Sequence, residues 1–158
     1  MTAGGLHHRE CMKPRQLNDI SYLIIQSAIQ VHRELGPGLL ESVYRACLLY
    51  ELRQRALQVI AEQLLPICYR GVIIEGAYRV DFLVEDQVVV EVKAVETILP
   101  VHSAQLLSYL RLMNKPLGLL INFHVPVLVA GVDRVMNGRQ EDALRTKTPL
   151  RSDQQNQK

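Results

Sequence analysis

The chain has 158 residues, enough for one domain with a real core. Apolar residues make up 48% and charged residues 22%, an ordinary soluble balance. The net charge of +2 is too small to argue nucleic-acid binding by itself, and 5% aromatics with no Trp argues against a single-strand binder built on stacking platforms.

Residues 1–15 lack the apolar core of a signal peptide and read as a flexible leader. Cys11, Cys47 and Cys68 are odd in number, far apart and without metal-ligand spacing, which fits a reduced, cytoplasmic compartment. No run is long enough to span a membrane. From Gln16 to Glu34, Leu17, Ile20, Ile24, Ala28 and Val31 recur at helical spacing and predict a helix with one buried stripe. His32 near its end reads as a surface or partly buried polar residue, with a site role as the lesser alternative.

Gly36-Pro37-Gly38 breaks the chain, and a second helix is expected from about Leu39 to Ala56, with Leu40, Val43, Cys47, Leu48 and Leu52 apolar. Glu41 in its first turn suits the helix dipole and the free amides there; a site role is the competing reading. Tyr44 lies one turn on and is placed to pack beside Glu41. Val59 to Tyr69 reads as extended, with Pro66 marking an edge or a bulge. Arg70-Gly71 is a turn, Val72-Ile73-Ile74 a short strand and Glu75-Gly76 another turn.

Tyr78 to Lys93 reads as two apolar strands joined by Glu85-Asp86-Gln87. With that loop Asp81 falls opposite Glu91, at a Cβ separation of about 4.5–5.5 Å, and Lys93 follows two positions on. Opposed like charges are unfavourable unless something neutralises them. Spacing leaves two readings open: an ion-pair cluster that satisfies itself, or a hard-oxygen site for Mg²⁺ or Mn²⁺ that takes substrate phosphate oxygens. The Val-rich surroundings favour the second, because a carboxylate pair there is costly to keep.

Pro100 suits the first turn of a helix from about Val101 to Met113. Leu106, Leu110 and Met113 face its core side; His102, Gln105 and Tyr109 share one stripe. Leu117 to Phe123 is a strand covered on both faces, and Val125 to Val132 is expected to form one more. Residues 16–136 are thus the domain and 137–158 a polar, disordered tail. The element order predicts an α/β fold, a mixed sheet flanked by helices.

Asp81 followed by Glu91-Val92-Lys93 resembles the D…(D/E)-x-K core of the PD-(D/E)xK nuclease superfamily. Gly38-Leu39-Leu40-Glu41-Ser42-Val43-Tyr44 fits a G-x-x-E-x-x-Y signature and, with Val31 to Gly38, resembles the small bacterial family of GxxExxY proteins. Gln105 and Tyr109 resemble the Q-x-x-x-Y motif of the exonuclease-like branch. The likeness spans roughly Asp19 to Val132, and Val80 stands where the superfamily's proline would be.

The resemblance implies a restriction-endonuclease-like three-layer α/β/α core. It implies a metal-dependent nuclease acting on nucleic acid, DNA first, with Mg²⁺ or Mn²⁺ as cofactor. Asp81, Glu91, the main-chain carbonyl of Val92 and Glu41 resemble the metal-binding set, Lys93 the catalytic lysine, and Gln105 a group orienting Lys93 or the water. Tyr109, His102 and Tyr44 are the candidate substrate contacts. The alternative is a catalytically silent nucleic-acid- or partner-binding module on the same fold; a homo-oligomer that supplies its own clamp is a third possibility.

Overall fold

Leu17–Leu35 forms helix α1 because its apolar positions recur on one face: Ile20, Ile24, Ala28 and Val31 are buried, as predicted. The structure, a computed structural model, describes residues 15–138; the rest of the expected leader and the tail from position 139 onward lie outside the described residues. Arg15, assigned to the leader, makes an ion pair with Glu85 at 2.9 Å. Asn137, assigned to the tail, donates its side-chain amide to the carbonyls of Leu110 and Lys115.

Helix α2 (Glu41–Gln54) buries Leu48 and Leu52 as expected, but its stripe starts elsewhere. Leu40 is 74% exposed and Val43 is exposed, while Tyr44, Leu48 and Leu52 are fully buried. Leu40 is the extended residue before the helix, so the stripe begins at Tyr44. The Tyr44 ring stacks on Phe123 with centroids 4.5 Å apart, which turns that face of α2 inward.

The sheet has five strands in the order β1 (Val59–Tyr69), β2 (Val72–Val84), β3 (Val88–Lys93), β4 (Leu117–Asn122) and β5 (Val132–Met136). All neighbours are antiparallel except β3 and β4. That parallel pair needs a crossover, which helix α3 (Pro100–Met113) supplies. Pro100 opens α3 as expected. Helices α1 and α2 cover one sheet face over Phe82, Val90, Leu119 and Ile121; α3 covers the other over Leu83, Val89 and Leu120. The result is the three-layer restriction-endonuclease-like arrangement.

Two expected boundaries moved. Glu75-Gly76 is not a turn: β2 runs straight through it, and the β1–β2 register shifts opposite Pro66. Pro66 offers no N–H to the ladder, and the strand takes up the irregularity with Gly76 at φ 62° instead of reversing. The last strand is Val132–Met136, not Val125–Val132; a bend and a short 3₁₀ helix (Leu128–Gly131) come first. Because β5 runs antiparallel to β4, the chain must reverse between them. Gly131 allows the close approach, since a Cβ there would collide with the Asn122 carbonyl oxygen. Among the described residues no helix is long and apolar enough to cross a membrane.

Candidate active site

The β2–β3 turn sets the register on which everything at the site depends. Glu85 and Asp86 sit in the left-handed region at φ 51° and 55°. A glutamate is unusual there, and three contacts hold the turn. Glu85 Oε1 accepts from Arg15 at 2.9 Å and from the Gln58 N–H at 3.1 Å, while Lys115 reaches Asp86 at 2.7 Å. The pairs Val84–Val88, Leu83–Val89 and Phe82–Val90 follow. Continued one step, that register puts Asp81 opposite Glu91.

At that step side chains replace the main-chain ladder. Asp81 Oδ2 accepts from the Val92 N–H at 2.9 Å, and Glu91 Oε1 accepts from the Asp81 N–H at 3.4 Å. The two carboxylates therefore sit in a gap between strands, 5% and 7% exposed. The N–H and C=O of one strand residue point to the same side, so the Val92 carbonyl faces this gap too. Lys93 Nζ lies 3.9 Å from Glu91 Oε2. Asp81, Glu91 and Lys93 are thus brought into one contact group.

The two carboxyls of the group act on each other. Burial, followed by the charge on Asp81, pushes the Glu91 carboxyl up to about 8, against an opposing pull from Lys93. Glu41, the first residue of α2, adds least to the same repulsion, and it does not join Asp81 and Glu91 in one metal-sized group. Tyr109, on α3, feels Glu91 as well: burial first, then that charge, raises its hydroxyl to about 12.

The remaining predicted residues occupy distinct places. Gln105 donates to the Tyr109 hydroxyl at 2.6 Å, and Tyr109 packs edge-on against Tyr78. The Gln105 amide is thereby committed to Tyr109; among the described residues no hydrogen bond joins it to Lys93. His102 Nδ1 accepts from the Leu99 N–H at 3.1 Å and caps α3. Tyr44 has no accessible surface to offer a substrate, so its work is positional: its hydroxyl donates to the Gly36 carbonyl at 2.6 Å and accepts from the Leu39 N–H. It fixes the loop that delivers Glu41. His32 is buried rather than at the surface, and it bonds the Val125 carbonyl at 2.8 Å.

Two residues escaped the sequence reading. Arg45 Nη1 meets Asp81 Oδ1 at 2.9 Å, and this hydrogen bond raises the guanidinium pKa. The available signal was its position four residues after Glu41, on the same helix face. Asn122 is buried, accepts from the Val95 and His124 N–H groups and donates to the Val95 carbonyl, fixing the segment after Lys93. An asparagine ending an all-apolar strand was its signal.

Among the described residues no three His, Cys, Asp or Glu side chains lie close enough to hold a metal between them. Two carboxylates and a strand carbonyl nevertheless form a hard-oxygen set, and Mg²⁺ keeps several waters and needs few protein ligands. The oxygen donors suit that ion, which on binding would displace the proton that the raised Glu91 carboxyl retains.

A family model of the PD-(D/E)XK nuclease superfamily matches residues 18–135. No curated protein matches the chain. Among solved structures, the crystal structure of SSO0001 is similar at 19% sequence identity and a TM-score of 0.49. That likeness covers 70% of this chain and 61% of the other, so the chain spans less than two thirds of that protein's length.

Proposed function

Because the chain belongs to the PD-(D/E)XK nuclease superfamily, we propose that it is a metal-dependent nuclease that hydrolyses phosphodiester bonds in nucleic acid, DNA first. Within the superfamily we place it among the GxxExxY proteins, with the exonuclease-like Q-x-x-x-Y helix. The observation that carries the reading is the buried Asp81–Glu91 pair in the strand gap with Lys93 beside it. Two buried carboxyls opposed across a hairpin are costly in a purely structural role and useful where a cation is to be held.

Asp81, Glu91 and the Val92 carbonyl would hold Mg²⁺ or Mn²⁺, with Glu41 acting on the same charge from α2. When bound, such an ion polarises a phosphoryl oxygen and lowers the pKa of water. Lys93 Nζ, in its half-buried position, positions the attacking water or offsets charge developing on the phosphate. Tyr109 and Gln105 form the α3 wall beside Glu91, and half-buried His102, at the start of that helix, would contact the nucleic-acid backbone. The two free cysteines of the described residues suit a cytoplasmic setting.

The test is cleavage of single-stranded, double-stranded and nicked DNA and of RNA, with Mg²⁺ or Mn²⁺. Cleavage lost in Asp81→Ala and Lys93→Ala supports the reading; no cleavage of any substrate with either ion defeats it. The Arg45–Asp81 ion pair favours a second reading, a silent binding module whose cluster neutralises itself. Calorimetry separates the two: the nuclease binds Mn²⁺ and loses it in Glu91→Ala, whereas the silent module binds none. A second copy of the chain could supply a nucleic-acid clamp, and light scattering reads that directly.

A further inference from the structure

Both oxygens of Asp81 are engaged, Oδ2 by the Val92 N–H and Oδ1 by Arg45 at 2.9 Å. A cation that uses Asp81 must therefore contend with the guanidinium. Arg45 is tied to α2 by a long side chain that is 23% accessible, and it lines a cleft of about 310 Å³ with Ser42, Glu62, Asp81 and Phe82. The acidic groups acting on it are Asp81, Glu41 and Glu62. Glu62 already has Arg79 opposite it at 3.6 Å. Of the three, Glu41 lies one turn earlier on the same helix, so a guanidinium displaced from Asp81 would remain beside the cleft that it already lines. Arginine's planar fork suits phosphate oxygens well.

We propose that Arg45 holds the cation's place on Asp81 in the metal-free protein and, on cation binding, turns into the cleft to contact a substrate phosphate. This rests on the nuclease reading above. Arg45 is then a substrate-binding residue with two opposed effects: it weakens cation binding and strengthens nucleic-acid binding.

The experiment measures both on Arg45→Ala. Calorimetry with Mn²⁺ alone reads the first effect. Fluorescence anisotropy of a labelled DNA oligonucleotide with Mn²⁺, in a Lys93→Ala background that prevents cleavage, reads the second. Mn²⁺ binding should tighten about tenfold as the competing cation is removed. Oligonucleotide binding should weaken about tenfold, with the salt slope smaller by about one. Arg45→Gln, which keeps a hydrogen-bond donor and drops the charge, should move both affinities the same way if Arg45→Ala does not fold. Mn²⁺ binding unchanged or weakened overturns the proposal and leaves the pair a structural ion pair. Unchanged oligonucleotide binding also overturns it. Absence of Mn²⁺ binding in the unmodified protein and the variant alike overturns the nuclease reading together with it.

Discussion

From Val80 to Val84 strand β2 is buried along its whole length, yet it carries Asp81. From Val72 to Ala77 the same strand is exposed, yet it begins Val, Ile, Ile. Tyr69, which pairs with Val72 from β1, is exposed as well. Charge sits where water is excluded, and aliphatic surface sits where water is present. Neither placement helps a single chain fold: burying a carboxylate costs free energy, and an exposed apolar patch forgoes the gain of burial. The inner half has Arg45 and Lys93 to offset its charge. Among the described residues the outer half pairs only with its hairpin partner β1.

The largest effect should come from the inner half. If its charge is there for chemistry, Asp81→Ala and Glu91→Ala each lower cleavage by roughly 10²–10³-fold or more, while thermal unfolding shows the fold retained. Full activity in Asp81→Ala would move the chemistry elsewhere and leave the inner half a plain ion-pair cluster. Next in size is packing. Leu120 is fully buried against α3, so Leu120→Ala should cost about 2–5 kcal/mol in urea unfolding. Ile73→Ala in the outer half should stay within about 0.5 kcal/mol. Equal losses at the two positions would mean that the outer half is covered.

How much of this was legible depends on whether a residue's surroundings lie nearby in sequence. The Asp81–Glu91 opposition was readable because a short polar turn and period-2 alternation fix register locally. A mixed sheet flanked by helices was readable from the order of the elements, and the three-layer core from the family resemblance. The start of the buried stripe of α2 was not, because Tyr44 turns inward to meet Phe123, 79 residues further along the chain. Arg45 was missed for a similar reason: its partner Asp81 lies on another element, 36 residues away. The Glu75-Gly76 turn failed because a glycine in a strand marks an irregularity as readily as a reversal. Gln105 and Tyr109 share a stripe as expected, but their mutual hydrogen bond is a choice of side-chain conformation that spacing does not report.

A smaller effect is expected from pH, and it bears on why the inner half tolerates its charge. In the fold Glu91 titrates near 8, because of burial and then Asp81, against an ordinary value of 4.5. Between these values the folded protein keeps a proton that the unfolded chain has released. Its contribution to stability is complete below about 4.5 and is lost as pH rises through 8. Metal-free protein should therefore become progressively easier to unfold over that range, and Glu91→Gln should flatten the slope. A cation needs the carboxylate, so Mn²⁺ affinity should rise with pH towards 8 and binding should release a proton. A pH-independent Mn²⁺ affinity would remove Glu91 from the cation set.

The smallest effect should come from Ile73→Lys, at the tip half of β2. Ile73 is 64% exposed, so a charge there meets water and desolvates nothing. Charged side chains on such arms also discourage edge pairing between sheets. Unfolding free energy should stay within about 0.5 kcal/mol, and cleavage should be unchanged, because the arm lies beyond the Pro66 irregularity from Asp81. The comparison breaks if the variant loses more than about 1 kcal/mol in a manner that depends on protein concentration. The outer half of β2 would then be buried in a multimer, and its isoleucines would be ordinary interface residues. Only the carboxylates of the inner half would still lack a purely structural reason.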